Sequence, residues 1–202
     1  MDRSTWHPLL IRAAHWLSYA LHPAVLLLLT MALVSPSAQV GAGRTLLDVG
    51  ILLLGLLPGL GYIAWKVRRG AVSHPHLLLK EERRVVLPLF LLGFVGSLLL
   101  YRLSGAAEFI TAGMAIGLLE GVILTVITRF WKISFHACVS MACAAFLLPS
   151  SAGLAALMAA AAVITGVARL PIKHHTLSQV AAGWLFGFTM TLVLLKFFTQ
   201  YL

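Results

Sequence analysis

Seven long apolar runs, separated by short polar loops, constrain what this chain can fold into. In lipid every backbone N–H and C=O must be bonded within its own segment, and about 20 helical residues cross the bilayer core. The sequence therefore predicts an all-α, polytopic transmembrane helix bundle with six to seven spans, the shortest of them crossing as part of the packed bundle. The runs cover residues 22–36, 46–66, 84–102, 107–129, 134–149, 151–168 and 177–199.

Composition supports the membrane assignment. Of the 202 residues 60% are hydrophobic and only 10% are charged, whereas a soluble domain is about half apolar and a quarter charged. The length predicts a single integral membrane domain over residues 1–202. A net charge of +9 would suggest nucleic acid for a soluble protein. Here the basic residues cluster between apolar runs, so membrane lipids are the expected partners and nucleic acid is not.

Residues 1–20 allow two interpretations. Trp6, Arg12 and Trp16 stand among apolar positions that roughly follow the helical period, which is typical of an amphipathic helix lying in the membrane interface. The same stretch could instead extend the first spanning helix. It lacks the compact apolar core and small-residue cleavage site of a secretory signal.

The loops predict an orientation. If all seven runs span, the loops at 66–84, 129–136 and 169–175 lie on one face of the membrane, together with the N-terminus. Every basic residue except Arg44, Arg102 and Lys196 falls on that face. The excess of basic residues on that face is smaller, but remains, when the basic residues that could be ligands are left out of the comparison. The positive-inside rule then places this face in the cytoplasm, and the cell (inner) membrane is the expected location.

Two loops carry residues suited to an anionic headgroup. Gln179 follows His175 by four positions, so on a helix it could hydrogen-bond one imidazole nitrogen and direct the other at a substrate. The guanidinium of Arg169 has the fixed fork of donors that suits a phosphate. Ser134 and His136 open another run, where the N–H groups of a helix start favour anions. Two histidines on facing helix ends could serve as nucleophile and general acid at one phosphoryl group.

Taken singly, these residues have simpler explanations. A basic residue at the end of a membrane helix usually anchors it in the interface, and a lone interfacial histidine is usually structural. The convergence of several on one face is what favours a binding site. Cys138 and Cys143 lie within one apolar run and are expected to be free core residues, so neither a disulfide nor a metal or other cofactor is predicted.

Two of these segments resemble signatures of a known family, the type 2 phosphatidic acid phosphatase superfamily of membrane lipid phosphate phosphatases. Its third signature is Ser-Arg-x5-His-x3-Asp, often followed by Val-x-Ala-Gly-x3-Gly, and its second is Pro-Ser-Gly-His. The order of the segments and the two intervening spans also match, and the resemblance covers about residues 84–199. The matching segments are Arg169-x5-His175-x3-Gln179-Val180-x-Ala182-Gly183-x3-Gly187 and Ile133-Ser134-Phe135-His136-Ala137.

The resemblance implies a metal-independent hydrolase that removes phosphate from a lipid phosphomonoester or diphosphate. Phosphatidic acid, phosphatidylglycerol phosphate and polyprenyl diphosphates are the substrates it suggests. By analogy His175 would attack phosphorus and form a phosphohistidine, with Gln179 behind it, and His136 would protonate the leaving oxygen. Arg169, Ser134 and backbone amides would hold the phosphate.

The first signature of the family, Lys-x6-Arg-Pro, is not present intact. Its usual place, at the end of the span before the second signature, holds Arg129 and Lys132, which could supply its two positive charges. Lys80 and Arg84, in a charged run on the same predicted face, are the competing source. All four are candidate phosphate-binding residues, although the charged run could equally be a solvated cluster.

Three departures from the family pattern leave other functions open. Ala168 stands in place of Ser, Phe135 in place of Gly and Gln179 in place of Asp. An uncharged Gln can orient an imidazole but cannot stabilise its positive form. A lipid phosphotransferase and a non-enzymatic lipid-binding or transport protein on the same scaffold are the alternatives. Glu120, a carboxylate in the middle of a span, favours the non-enzymatic lipid-binding or transport protein. The lack of an inverted repeat argues against that alternative.

Overall fold

The computed structural model describes residues 7–37, 41–71, 80–172 and 174–200, which are helical apart from short connections. Each of the seven apolar runs forms a helix, with ends within a few residues of those predicted, and no strand is present in the described ranges. The all-α class is therefore confirmed. The helices are α1 (Pro8–Ala20), α2 (Pro23–Ser37), α3 (Ala42–Arg68), α4 (Lys80–Leu103), α5 (Glu108–Phe130), α6 (Phe135–Leu147), α7 (Ala152–Ala168) and α8 (Leu177–Thr199).

Four of the described helices, α3, α4, α5 and α8, are long and apolar enough to cross a membrane. Taking α1 and α2 together as one bent span gives five. The predicted six to seven spans are not confirmed, because α6 has 13 residues and α7 has 17. At a rise of about 1.5 Å per residue, α6 covers about 20 Å of a core about 30 Å thick.

Apolar side chains face outward on the long helices and on the shorter ones. Leu92 on α4, Leu157 on α7 and Leu185 on α8 are each about two-thirds exposed. Outward-facing leucines on helices of this composition suit contact with lipid chains rather than with water. The structure therefore agrees with an integral membrane protein.

The N-terminal segment forms a helix of its own. Leu21 and His22 separate α1 from α2, and the two helix axes differ by 45°. Trp16 on α1 is 74% exposed, as an interfacial tryptophan would be. Both an interfacial helix and the first part of a broken span fit these features.

The single domain predicted over residues 1–202 divides by its internal contacts into two compact units. The first combines Met1–Leu27 with Ile133–Leu192 and contains α1, α6, α7 and most of α8. The second combines Leu28–Lys132 with Val193–Leu202 and contains most of α2 together with α3, α4 and α5. Each unit is described by itself below.

In the first unit, glycines let α8 approach its neighbours closely. A Cβ at Gly183 would lie 2.7 Å from the carbonyl oxygen of Ser134, and one at Gly187 would collide with the carbonyl of Cys138. On α7, a Cβ at Gly166 would meet the indole of Trp184. Such close backbone contact is how membrane helices associate without a hydrophobic driving force.

The second unit contains a buried carboxylate that is fully partnered. Asp48 on α3 forms a salt bridge of 2.9 Å with Arg44 and accepts a hydrogen bond of 3.0 Å from Ser35 Oγ. The hydroxyl of Tyr101 on α4 donates to the Asp48 carbonyl at 2.6 Å. A buried charge is tolerated when it is paired in this way, so we interpret Asp48 as structural. Glu120 is also buried, midway along α5.

Candidate active site

The start of α6 is set by Ser134. This residue is the N-cap, and its Oγ accepts a hydrogen bond of 3.4 Å from the backbone N–H of Ala137. Serine is favoured there because its side chain satisfies an N–H group that has no partner within the helix. Ser134 is fully buried. The cap places His136 in the first turn of α6, as the sequence predicted.

The start of α8 is set by a reciprocal capping box. The backbone N–H of Thr176 donates to Gln179 Oε1 at 3.1 Å, and the backbone N–H of Gln179 donates to Thr176 Oγ1 at 3.3 Å. This Thr-x-x-Gln pattern satisfies two N–H groups at a helix N-terminus. The side chain of Gln179 is therefore fixed by the helix start itself.

The same Gln179 oxygen holds His175. The distance between His175 Nδ1 and Gln179 Oε1 is 3.2 Å. Because a backbone N–H can only donate, the Gln179 atom that faces Thr176 must be the carbonyl oxygen, and the Nδ1–H of His175 must donate to it. In the neutral ring Nε2 then carries the lone pair. The hydrogen bond predicted from the spacing is present, although His175 precedes α8 and Gln179 reaches back to it.

Arg169 is buried at the end of α7. It is 2% exposed and is the largest fully buried side chain in the described part of the chain. Its Nη2–H donates to His174 Nδ1 at 3.4 Å, and its carbonyl accepts from the backbone N–H of His174 at 3.3 Å. These bonds fix the short connection between α7 and α8. A guanidinium at this depth is held by hydrogen-bond partners or by an anion.

A backbone hydrogen bond joins the two segments singled out in the sequence. The N–H of Ser134 donates to the carbonyl of Gln179 at 3.2 Å. The close approach of Gly183 to Ser134 lies one turn further along α8. The first unit thus brings the start of α6, with Ser134 and His136, against the start of α8, with His175 and Gln179.

His22 belongs to this region but was not predicted. Its ring packs edge to face against that of His136, with ring centroids 5.4 Å apart and planes at 87°. No motif links His22 to the other residues, because it is far from them in sequence. The only local signal was His-Pro before an apolar run, which indicates a helix start.

The remaining cations predicted to bind phosphate lie in the second unit. Arg84 and Arg129, predicted as competing sources of charge, line one pocket of about 280 Å³ between α4 and α5. Lys132 is half-buried beyond the end of α5 and does not line this pocket. The side chain of Lys80 lies outside the described part of the structure. The pocket residues are Arg83, Arg84, Leu87, Pro88, Thr125, Thr128 and Arg129.

From the charged run at 80–84 the sequence analysis singled out Lys80 and Arg84 as site residues, and not Arg83. Arg83 is 6% exposed, whereas Arg84 and Arg129 are exposed. The missed signal was that Arg83 lies three residues before the buried Val86 on the same helix face. Thr128 is also buried, and its Oγ1 has no hydrogen-bond partner among the described residues.

The cysteines are both buried and free, as predicted. Among the described residues no group of three or more His, Cys, Asp or Glu side chains is arranged to hold a metal ion. Compared with models of protein families, with curated proteins and with solved structures, the chain has no match.

Proposed function

We propose that this chain is a metal-independent membrane lipid phosphatase that acts through a phosphohistidine at His175. One observation carries the proposal: the hydrogen bond from His175 Nδ1 to Gln179 Oε1, which leaves the Nε2 lone pair as the nucleophile. The resemblance to the two family signatures supports it further. Buried Arg169 and the start of α6 supply the positive charge and N–H donors that a phosphate needs.

The chemistry would proceed in two steps. His175 Nε2 attacks phosphorus, the bond to the lipid oxygen breaks, and His136 gives its proton to that oxygen. The phosphate is then on His175, and His136 is neutral. His136 next takes a proton from water, whose oxygen attacks phosphorus; the bond between phosphorus and His175 Nε2 breaks, and inorganic phosphate is released. Arg169, Ser134 and the backbone N–H groups at the start of α6 stabilise the phosphate oxygens throughout.

A lipid substrate is supported by the surroundings of these residues. The helices that carry them expose leucines, as Leu157 and Leu185 do, so a phosphate reaching this site is expected to carry a lipid. Phe135, half-buried beside His136, replaces the glycine of the family signature and suits contact with an acyl or prenyl chain. Phosphatidic acid, phosphatidylglycerol phosphate and polyprenyl diphosphate are the candidate substrates.

The membrane arrangement is part of the proposal. We expect residues 1–202 to form one integral membrane domain of the cell (inner) membrane with six to seven spans. The two short helices, α6 and α7, would then cross within the packed bundle. The loop at 169–175 and the start of α6 would face the cytoplasm. Cysteine accessibility at Ser104 and Leu170, one on each predicted face, tests this orientation.

Phosphate release in detergent tests the activity. Purified protein would be incubated with each of the three substrates in the presence of a chelator, beside the variant His175→Ala. The matched control is His7→Asn, because His7 is an exposed histidine that caps α1 and Asn preserves a cap. We expect release that survives the chelator, persists in His7→Asn and vanishes in His175→Ala. Release that persists in a folded His175→Ala protein would refute the mechanism.

A lipid transporter is the second candidate, and buried Glu120 is the observation that favours it. A carboxylate within a span often marks an ion or proton pathway. A transporter would move lipid in proteoliposomes with or without His175 but lose transport in Glu120→Gln. A phosphotransferase would differ from a hydrolase only in passing the phosphoryl group to an added alcohol rather than to water.

A further inference from the structure

His22 is held in a defined orientation at the break between α1 and α2. Its Nδ1 accepts a hydrogen bond of 3.2 Å from the backbone N–H of Ala24, which caps the start of α2. Since a backbone N–H can only donate, Nδ1 carries the lone pair and the neutral ring has its hydrogen on Nε2. Protonation of Nδ1 would remove the cap, because an N–H at that position cannot accept the hydrogen bond from Ala24. The geometry therefore favours a neutral ring.

The fixed ring of His22 meets that of His136. The planes are almost perpendicular, at 87°, and the centroids are 5.4 Å apart. Aromatic pairs prefer this edge-to-face arrangement. An imidazole in the first turn of a helix can otherwise rotate about two side-chain bonds, so a rigid neighbour limits the directions in which its nitrogens point.

We propose that His22 is a positioning residue, which holds the His136 imidazole in the orientation needed to protonate the leaving oxygen. This inference rests on the proposed function, in which His136 is the general acid. General acid catalysis requires the proton donor to lie within hydrogen-bond reach of the leaving group. Because His22 is itself held neutral by the cap, it can orient His136 without competing with it as the acid.

Substrates with different leaving groups test this role. The leaving group of phosphatidic acid is the alkoxide of diacylglycerol, a poor leaving group that needs a proton. The leaving group of p-nitrophenyl phosphate is a stabilised phenolate that does not. The variant His22→Asn keeps an N-cap and removes the ring, and His22→Phe keeps a ring and removes the cap. A purely structural defect would lower turnover of both substrates to the same degree.

We expect His22→Asn to lower kcat on phosphatidic acid by about 10- to 100-fold, part of the roughly 10²- to 10⁴-fold effect of a general acid. Its kcat on p-nitrophenyl phosphate should change by less than about 3-fold, with KM unchanged for both. His22→Phe should recover most of the loss on phosphatidic acid. Variants of His136 should show the same dependence on the leaving group, only larger.

The outcomes separate this proposal from the proposed function. If the wild-type protein releases phosphate and His22→Asn matches it on both substrates, or loses both equally, the role of His22 is overturned and the proposed function stands. If the wild-type protein releases no phosphate, the proposed function fails and the positioning role of His22 fails with it. A measurement without turnover checks the contact itself. In ¹⁵N-histidine-labelled protein the His136 ring signals should shift when His22 becomes Asn, and unshifted signals would overturn the contact.

Discussion

The bond between Gln179 and His175 yields a prediction that separates catalysis from helix stability. The substitution Gln179→Glu keeps the length of the side chain and the capping box, since Glu replaces Gln in that motif. It changes the acceptor for His175 Nδ1–H from an amide oxygen to a carboxylate. As Nε2 bonds to phosphorus, positive charge develops on the imidazole, and a carboxylate stabilises that charge where an amide cannot.

The expected magnitude follows from the type of hydrogen bond. A neutral hydrogen bond contributes about 0.5–1.5 kcal/mol and a charged one about 1.5–3 kcal/mol. A gain of about 1 kcal/mol in the transition state corresponds to about a 5-fold faster step. The step to measure is formation of the phosphoenzyme from ³²P-labelled lipid phosphate under single-turnover conditions. Turnover could otherwise report the later hydrolysis.

Two further variants complete the test. Gln179→Ala removes the acceptor of His175 together with half of the capping box, so it should slow phosphoenzyme formation at least about 10-fold and destabilise the protein. Thr176→Ala removes the Oγ1 cap and the hydrogen bond between Thr176 Oγ1 and Ser178 Oγ, but it leaves the acceptor of His175 in place, because the backbone N–H at 176 still donates to Gln179. It should cost about 1 kcal/mol of stability with the rate nearly unchanged. The reasoning is refuted if Gln179→Glu is no faster than wild type, or if Thr176→Ala slows the step as much as Gln179→Ala.

Two other predictions follow, one from the packing within each unit. Gly187→Ala should destabilise the protein by about 1–3 kcal/mol, because its Cβ collides with backbone on α6, whereas Gly153→Ala, with space around it, should be neutral or slightly stabilising. Thermal unfolding compares the pair, and equal melting temperatures would contradict the close contact. In the α4–α5 pocket of the second unit, Arg83→Ala should weaken the binding of inorganic phosphate about 10-fold and exposed Arg84→Ala less than about 3-fold, since charged contacts weaken with exposure. Equal losses of phosphate binding, measured by titration calorimetry, would refute that ranking.

The helices were predictable because local signals determine them. Long apolar runs must form helices in lipid, and polar loops end them. Thr176-x-x-Gln179 and Ser134 also mark the starts of α8 and α6 where the structure has them. The bond from Gln179 to His175 could be anticipated because it spans only four residues.

The contacts that were not predicted either join distant parts of the chain or depend on which side of a helix is buried. His22 meets His136 only because α1 packs against α7 in its unit, and no pattern in the sequence indicates this. Arg83 and Arg84 are adjacent and identical in type. Only the packing of α4 decides that Arg83 is buried and Arg84 exposed. The six to seven spans are not confirmed by helix length, because apolar composition does not reveal that α6 ends after 13 residues.

The contact between α6 and α8 also bears on the path of a lipid tail. At Gly183 and Gly187 the backbones are so close that not even a methyl group fits between them. An acyl chain therefore cannot pass between these two helices to reach His175. A lipid substrate would have to present its headgroup at the helix starts while its chains stay on the outer surfaces. Chain length and saturation should then influence turnover far less than the size and charge of the headgroup.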